Sequence, residues 1–322
     1  MASGDVVGVI LAAGKGARMY PFSEQRPKPI LPVLNRPLLA YQIDVMREAG
    51  IVDIHIVVGR HGYQIASLLG DGTQSGVRIH YVEQESTLGL AHAVGALESR
   101  IDSPFLLMLG DIQFHLSGPI RPLVDQVVAG EVAANLVSRY EPDPEMLRRN
   151  FAILADEAGR VRRVIEKPRF ATTQLKGCGL YVFDPRVFDA IRRTPRTAMR
   201  DEYEITDSIQ IMIEDGWVVH HHPIVERDLN LTKAEDLLMI NLAELDRQRL
   251  PRLIDPSAHL APGTRVEHSV IGPGVVVTRP IQIVDSVVMA DVSLDGRHDL
   301  ARVVTDGEHV VYCPGLDLQA LS

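Results

Sequence analysis

The chain has 322 residues, of which 46% are hydrophobic and 23% charged, and its formal net charge is −9. This length predicts about two domains, and the composition is typical of a folded chain rather than a disordered one. The acidic balance disfavours broad nucleic-acid binding, and the sequence shows neither a basic leader nor an apolar run of about 20 residues. Because the two cysteines are too few for a disulfide framework, we expect a cytoplasmic protein. The missing leader and the missing apolar run further predict that it does not contact a membrane.

The first 110 residues alternate apolar runs with helical patterns. Strands are predicted at residues 6–12, 53–58, 77–82 and 105–109, and helices at residues 37–50, 63–69 and 90–99. Strands that alternate with helices form βαβ units, so this part of the chain predicts an α/β fold with a mostly parallel sheet.

The segment between residues 130 and 250 predicts smaller elements. Its expected elements are short strands at 133–138, 151–154, 161–165 and 179–183, and a helix at 205–214. A last helix is expected to begin near Thr232, because Thr232 and Glu235 have the spacing of a capping box, and to run towards Arg249.

Beyond Pro251, apolar residues recur at a nearly constant interval. The interval is six residues with one step of five, through Ile254, Leu260, Val266, Ile271, Val277, Ile283 and Met289. A six-residue period is typical of a parallel β-helix, here of about two coils, and a Greek-key β-domain is the alternative. The change predicts two domains, residues 1–250 and residues 251–322.

A glycine-rich turn follows the first predicted strand. Gly14-Lys15-Gly16 lacks the spacing of a Walker A loop, and Met19 stands where a dinucleotide fingerprint needs its third glycine. The segment LAAGKGARM at residues 11–19, followed by RPKPILPV at residues 26–33, resembles the signature of the sugar-1-phosphate nucleotidylyltransferases, most of all the long-form glucose-1-phosphate thymidylyltransferases. A structural glycine turn beside solvated cations would explain only the first half of this pattern.

The residues of this signature suit phosphate chemistry. Glycines let backbone N–H groups approach phosphates, and Arg18 and Lys28 bring two positive charges, so the resemblance implies that both act in catalysis. It further implies that the nucleotide is bound by Leu11, Ala12, Ala13, Gly14, Lys15, Gly16 and Arg18, with Gln84 and Gly89 at the base. A glutamine can donate and accept hydrogen bonds together, as pairing with uracil or thymine requires.

Carboxylates follow two of the later segments. Asp111 comes directly after the predicted strand 105–109 and Gly110, at the edge where open α/β sheets bind ligands, and a carboxylate there suits Mg²⁺. The resemblance implies that Asp111 is catalytic and binds the metal. It also implies that Asp228 is a second metal ligand, with Asn230 as the alternative.

The expected acceptor site lies in the middle of the chain. Glu166 and Lys167, in a Glu-Lys-Pro motif, and Gly179 are implied to bind the sugar 1-phosphate. The sequence departs from the family pattern at three places, which leaves the acceptor sugar open: Ala17 for Thr, Phe151-Ala152 for Tyr-Gly, and Ile112 for Asn.

The resemblance covers nearly the whole chain and implies both a fold and a reaction. The fold is a Rossmann-like nucleotidyltransferase domain with a mostly parallel mixed sheet, plus a short C-terminal left-handed β-helix. The reaction joins a nucleoside triphosphate, dTTP or UTP, and a glucose-type 1-phosphate into a nucleotide sugar and pyrophosphate, with Mg²⁺. GTP or CTP with an unusual sugar or cyclitol phosphate stays open, as do a non-catalytic regulatory relative and an acyltransferase acting through the β-helix. We expect a homo-oligomer.

Two further features predict structure rather than chemistry. Adjacent residues of a strand point to opposite faces, so His220, His221 and His222 favour an edge strand over a metal cluster. Cys178 has no neighbouring signal of an activated thiolate.

Overall fold

The structure, a computed structural model, describes residues 6–14, 16–24, 26–170, 172–198 and 201–316. Its α-helices are α1 Leu38–Glu48, α2 Gly62–Leu69, α3 Leu90–Gly95, α4 Arg121–Val128, α5 Pro144–Arg149, α6 Val187–Arg193, α7 Ile205–Glu214 and α8 Ala234–Arg247. Within these ranges, no helix is both long and apolar enough to cross a membrane.

The β-strands fall into two groups along the chain. Those before α8 are β1 Val7–Ala12, β2 Pro32–Val33, β3 Arg36–Pro37, β4 Asp53–Val58, β5 Arg78–Glu83, β6 Phe105–Leu109, β7 Ile112–Leu116, β8 Ala134–Tyr140, β9 Phe151–Ala155, β10 Val161–Glu166, β11 Leu175–Phe183, β12 Val219–His222 and β13 Val225–Asn230. Those after it are β14 Leu253–Ile254, β15 His259–Leu260, β16 Arg265–Glu267, β17 Val270–Ile271, β18 Val276–Val277, β19 Gln282–Val284, β20 Val287–Val288, β21 Ser293–Leu294, β22 Leu300–Ala301, β23 Val303–Thr305 and β24 Val310–Tyr312.

The chain divides into two compact units. The first comprises Met1–Gly14 and Tyr41–Asp228, and the second comprises Lys15–Ala40 and Leu229–Ser322. The predicted boundary between residues 250 and 251 does not coincide with this division, because an early loop and α8 group with the C-terminal coils.

Side-chain amides hold that loop and α8 in the second unit. Asn241 of α8 accepts a hydrogen bond from Leu34 N at 2.8 Å and donates one to Pro32 O at 3.0 Å. Asn35 donates from Nδ2 to Ile271 O in the coils at 2.9 Å. Backbone polar groups that leave water need such partners, so these amides fix the loop both to α8 and to the C-terminal coils.

The first unit is built on a mixed sheet in the order β10-β9-β11-β6-β1-β4-β5, in which β8 also pairs with β11, and β12 pairs with β8. Strands β6, β1, β4 and β5 run parallel, whereas β11 is antiparallel to β6, β8 and β9. Gly8 lets α1 approach β1 closely, since a Cβ there would lie 2.5 Å from Met46 Sδ. This sheet, with helices packed on it, confirms the predicted Rossmann-like α/β fold.

The predicted elements differ from the observed ones mainly at their ends. β4, β6 and α7 have the predicted bounds, whereas α3 stops at Gly95, before the predicted residue 99. β7 was not predicted, because its buried Gln113 and His115 break the apolar pattern. The N-terminus of α8 is capped by Asp236, not by the predicted Glu235; its carboxylate accepts from Thr232 N at 2.8 Å and from Lys233 N at 2.7 Å.

The three adjacent histidines belong to β12, which pairs with β8. His221 Nδ1 lies 3.1 Å from Ser138 Oγ, and His222 Nε2 lies 3.0 Å from Asn135 Oδ1. Among the residues that the structure describes, no group of three or more His, Cys, Asp or Glu is arranged to hold a metal ion.

The C-terminal strands form a parallel coil with three sides. One sheet is β14-β17-β20-β23, the second is β15-β18-β21 and the third is β16-β19-β22, each with parallel register over its successive coils. β24 ends the described coil by pairing antiparallel with β23. The parallel register excludes the Greek-key alternative and is consistent with the predicted left-handed β-helix.

The coil period is 17 residues, as the bonds from Ser286 N to Ser269 Oγ and from Val303 N to Ser286 Oγ show. The step of five residues therefore recurs in every coil. Ile271 is in register with Val288, one residue before Met289 of the sequence pattern, and both Val288 and Met289 are buried. Residues 253–303 form three coils rather than the predicted two.

Candidate active site

The carboxyl edge of the parallel strands carries several predicted nucleotide-binding residues. Leu11 and Ala12 end β1, and Leu11 is in register with Leu109 at the end of β6. Gly110 N donates to Leu11 O at 2.8 Å, so the turn that bears Asp111 begins beside β1. A Cβ on Gly110 would lie 2.7 Å from Leu11 O, and glycine is therefore required for this approach.

Two more strands extend the same edge. Gly59 follows β4, and a Cβ there would lie 2.9 Å from Ala13 O. Gln84 follows β5, and its N–H donates to Val58 O at 2.8 Å. The first unit thus brings Ala13, Asp111 and Gln84 to the ends of neighbouring parallel strands, the place where ligands bind in open α/β sheets.

The amide of Gln84 is held by His92 of α3. Gln84 Nε2 lies 3.1 Å from His92 Nδ1, and Gln84 is 8% exposed. When the imidazole carries its proton on Nε2, Nδ1 accepts one N–H of the amide. The His92 ring in turn stacks on Tyr203, with the ring centroids 6.3 Å apart. A glutamine amide also has Oε1 as an acceptor and a second N–H as a donor, which can form further hydrogen bonds.

Tyr203 also clamps the segment before α3. Its N–H donates to Leu88 O at 2.7 Å, and Ala91 N donates to Tyr203 O at 3.0 Å. Gly89 lies between these bonds with φ of 108°, and a Cβ there would overlap the Tyr203 carbonyl oxygen. Glycine at position 89 is therefore required by this approach, independently of the base contact that the sequence predicts.

The predicted sugar-binding residues lie on or just after β10 and β11. Glu166 Oε2 accepts from Thr206 Oγ1 at 3.3 Å, and its Oε1 lies 3.8 Å from Lys167 Nζ. Lys167 has φ of 43°, a left-handed conformation that is uncommon for a residue with a side chain. At Gly179, a Cβ would lie 2.7 Å from Leu109 Cδ1, so β11 passes close to the end of β6.

A cleft of about 550 Å³ lies between β10 and α7. Of the predicted site residues, only Glu166 lines it; Asp207, whose pKa is raised by burial, and Gln210 form part of its wall. The residues that follow β1, β5 and β6 do not contribute to this cleft. It is therefore separate from the edge where the nucleotide-binding residues meet.

Asp228, the predicted second metal ligand, lies in a buried cluster of charges. Lys176 Nζ lies 2.8 Å from Asp228 Oδ1 and 2.7 Å from Oδ2, and each of the two side chains is 1% exposed. Arg139 Nη1 lies 3.3 Å from Asp228 Oδ1, and its Nη2 lies 3.0 Å from Glu141 Oε2. The carboxylate is thus bound by two cations already, an arrangement that does not fit the predicted metal role.

Both cysteines are buried, and Cys178 lies near that cluster. Burial raises the pKa of the Cys178 thiol well above its ordinary value, and the nearby Asp228 carboxylate adds to the rise. Burial also raises the pKa of Cys313, to about 11. Since the thiolate is the reactive form, these environments do not favour an activated cysteine.

The predicted catalytic cations belong to the second unit. Arg18 is exposed and lies in the short 3₁₀-helix Ala17–Met19, whereas Lys28 begins another 3₁₀-helix and is 8% exposed. Gly16, with φ of 67°, approaches Lys28 so closely that a Cβ would lie 3.0 Å from Lys28 Cγ. Lys15 lies outside the described residues, and its predicted role stays a prediction.

Two residues of the site were not predicted. His92 lies eight residues after Gln84, and Lys176 lies 52 residues before Asp228, so only the fold shows these contacts. A signal for Lys176 was present, because a lysine in an otherwise apolar strand is almost never buried without a charged partner.

Comparison with known proteins gives the family. Residues 7–226 match the family model described as Nucleotidyl transferase. The Haloferax volcanii protein named Low-salt glycan biosynthesis nucleotidyltransferase Agl11 is 37% identical over 76% of this chain and 68% of its own. A Glucose-1-phosphate thymidylyltransferase of Streptomyces griseus is 29% identical over 89% of this chain and 87% of its own.

A solved structure gives the same result. A Bacillus anthracis protein proposed to be a glucose-1-phosphate thymidylyltransferase has a TM-score of 0.66 at 27% identity, covering 73% of this chain and 94% of its own. The family model, the two relatives and the solved structure all agree with the glycine-rich signature of the sequence. The chain belongs to the nucleotidyl transferase family and is an enzyme of the sugar-phosphate nucleotidyltransferase type.

Proposed function

We propose that the protein transfers a nucleotidyl group from dTTP or UTP to a glucose-type 1-phosphate in an Mg²⁺-dependent reaction. The observation that carries the proposal is the position of Ala13, Asp111 and Gln84 at one edge of the parallel strands. Beside the thymidylyltransferase of Streptomyces griseus, a Haloferax volcanii relative named UTP–glucose-1-phosphate uridylyltransferase is 35% identical over 65% of this chain. These names support a pyrimidine nucleotide and a glucose-type acceptor.

The orientation of Gln84 supports thymine or uracil as the base. Its Oε1 can accept the base N3–H while its second Nε2–H donates to a base carbonyl. Cytosine presents an acceptor at N3, which would face Gln84 Oε1 without a proton between them. Thymine and uracil offer the same polar edge, so both triphosphates fit this contact.

The phosphate chemistry needs positioning and charge rather than a general base. An oxygen of the sugar phosphate attacks the α-phosphorus, the bond to the bridging oxygen of the β-phosphate breaks, and pyrophosphate leaves. Because the attacking phosphate is already ionised, catalysis depends on neutralising the charge of the phosphates. We assign Arg18 to the leaving pyrophosphate, and Lys28 to the α-phosphate and the incoming phosphate.

Mg²⁺ is the cofactor that this chemistry implies, and Asp111 fits it. Asp111 is half-buried directly after β6, and Mg²⁺ is usually held by one or two carboxylates together with substrate phosphates. When bound, the ion would supply positive charge at the α-phosphate. Asp228 does not fit, because its oxygens already accept from Lys176 and Arg139. Asn230, at the end of β13, stays the alternative oxygen ligand.

Glu166 and Lys167 are assigned to the sugar 1-phosphate. The Glu166 carboxylate, held by the Thr206 hydroxyl, can accept from sugar hydroxyls, and the 43% exposed side chain of Lys167 can pair with the phosphate. Backbone conformations that are unfavourable for a residue with a side chain cluster at ligand sites, which supports a binding role for Lys167.

The test measures pyrophosphate release with dTTP, UTP, CTP, GTP and ATP, each against a panel of sugar and cyclitol 1-phosphates with Mg²⁺. We expect kcat/KM for dTTP or UTP with glucose 1-phosphate to exceed that for CTP by about tenfold or more, the value of one hydrogen bond to the base. An optimum with CTP or GTP would favour the alternative substrates. If no pair of substrates releases pyrophosphate, a regulatory relative is favoured. A separate assay with acetyl-CoA tests the acyltransferase alternative, which release of CoA would favour.

A further inference from the structure

Lys176 gives Asp228 a cation that belongs to the protein itself. The lysine lies on β11, where residues 177–183 are all buried, and its ammonium is enclosed with them. Its Nζ contacts both oxygens of Asp228, at 2.8 and 2.7 Å, and lies 3.8 Å from Glu141 Oε2. A lysine in such a place must have charged partners, because an unpaired ammonium is far too costly to bury.

The cluster around Lys176 is balanced in charge. Lys176 and Arg139 are directly opposite each other on the antiparallel strands β11 and β8. Like charges in that position repel, and the carboxylates of Asp228 and Glu141 offset the repulsion by bridging the two cations. Two positive and two negative side chains therefore form one unit of zero net charge.

We propose that Lys176, rather than a metal ion, is the cation of Asp228, and that the metal of the reaction is held by Asp111 with the substrate phosphates. Mg²⁺ demands a near-octahedral set of oxygens at about 2.0–2.1 Å. The two oxygens of Asp228 already face an ammonium, and the side chain has 1% of its surface open to water or a ligand. The statement about the metal rests on the proposed nucleotidyl transfer. The ion pair does not, because it is supported by the contacts of Lys176 and Asp228 themselves.

The first test is a double-mutant cycle of thermal unfolding with Lys176→Met, Asp228→Asn and both together. Each single variant leaves one buried charge unbalanced, so we expect each Tm to fall by about 10 °C, whereas the double variant should recover at least half of that loss. Lys233→Met is the control, since Lys233 pairs with Glu235 at 3.1 Å with 64% of its side chain exposed, and its Tm should change by less than about 2 °C.

Losses that add in the double variant, or no loss in the single variants, would overturn the ion pair. If the single variants do not fold, the yield of folded protein replaces Tm: recovery in the double variant supports the proposal, and equal loss overturns it. Because this cycle needs no turnover, it decides the ion pair even if the enzyme releases no pyrophosphate.

The second test measures Mn²⁺ binding by electron paramagnetic resonance in the presence of a non-hydrolysable UTP analogue. We expect Asp228→Asn, alone and with Lys176→Met, to bind Mn²⁺ within about twofold of the parent protein, and Asp111→Asn to bind it at least tenfold more weakly. A loss in Asp228→Asn as large as in Asp111→Asn would show that Asp228 holds the metal and would overturn the proposal.

Discussion

Single residues of the first unit work in pairs, in which one side chain fixes the orientation of another. His92 fixes the amide of Gln84, and Lys176 fixes the carboxylate of Asp228. A group that is held before the ligand arrives loses less conformational freedom on binding, so its contact contributes more to affinity and specificity. A substitution of the supporting residue should therefore have a measurable effect, as should a substitution of the residue that it orients.

His92→Phe separates the two contacts of His92. Phenylalanine keeps a ring against Tyr203 but offers no acceptor to Gln84, so the Gln84 amide is free to rotate. We expect kcat/KM for the preferred nucleotide to fall by about tenfold, and the preference for UTP or dTTP over CTP to shrink. Steady-state kinetics with the three nucleotides measure both effects.

The matched control is His259→Phe, which changes an exposed histidine of the coils. Its kinetics should equal those of the parent protein. An unchanged ratio of UTP to CTP in His92→Phe would contradict the role of His92.

Some site residues were predicted from a local signal, and their roles stay predictions. Gly14, Gly16 and Arg18 lie within five residues, and Lys28 follows ten residues after Arg18, so residue types that suit phosphates can be recognised before any fold is known. The pairing of Asp228 could not be predicted in this way, because the position of a carboxylate in a sequence does not reveal whether a distant lysine will neutralise it.

At the scale of elements, serine side chains tie successive coils together. Ser269 Oγ accepts from Ser286 N at 2.9 Å, and Ser286 Oγ accepts from Val303 N at 3.1 Å. Both serines are 0% exposed, so no water can replace these bonds. The ladder fixes the 17-residue register at one corner of the coil.

Ser286→Ala tests this ladder. The change leaves Val303 N without its buried acceptor, so we expect a loss of about 1–3 kcal/mol in the free energy of unfolding. Ser293→Ala, at an exposed position of β21, is the control and should change stability by less than about 0.5 kcal/mol. Denaturant titration followed by circular dichroism measures both, and equal losses would contradict a role for the ladder.

We expect strand β12 to make the stability of the fold depend on pH. Burial lowers the pKa of His221 and His222 below 6.5, and repulsion from His220 adds to the shift. The unfolded chain takes up protons near pH 6.5 while the folded chain does not, so stability is present above that pH and is lost as the pH falls below it.

The variant His221→Asn with His222→Gln removes both titrating groups. We expect its free energy of unfolding to depend less steeply on pH between about pH 7.5 and 5.5 than that of the parent protein. Parallel urea titrations at several pH values measure the slopes, and identical slopes would show that these histidines do not contribute.

At the scale of the whole molecule, continuous apolar runs made the parallel part of the sheet predictable. β6 matches its predicted bounds because it is an unbroken apolar run, which is typical of a buried parallel strand. β4 also matches its bounds, although its Asp53 and His55 are only half-buried. The antiparallel part was less predictable. β11 begins at Leu175, four residues before the predicted strand. The prediction began too late because Lys176 interrupts the apolar pattern at the start of the strand. The division into two units could not be predicted, since it depends on contacts such as that of Asn241 with Leu34.

The net charge of the protein is negative, whereas the side chains proposed to contact phosphates are positive. The chain carries a formal charge of −9, whereas its proposed ligands are polyanions assigned to Arg18, Lys28 and Lys167. If the proposed function holds, binding depends on these local cations and on the proposed metal ion rather than on long-range attraction. The homo-oligomer expected from the sequence stays a prediction, which sedimentation equilibrium can measure.

Nucleotidyl transfer at the edge that bears Asp111 is the central claim, and single-turnover release of pyrophosphate tests it most directly. The parent protein, Asp111→Asn and Lys28→Ala are compared with the preferred substrate pair, with Asp125→Asn as the control on the exposed face of α4. We predict a loss of at least ~100-fold in rate for Asp111→Asn and for Lys28→Ala, because each removes a charge that stabilises the transition state, and no loss for Asp125→Asn. Near-normal release by Asp111→Asn or Lys28→Ala would contradict the account.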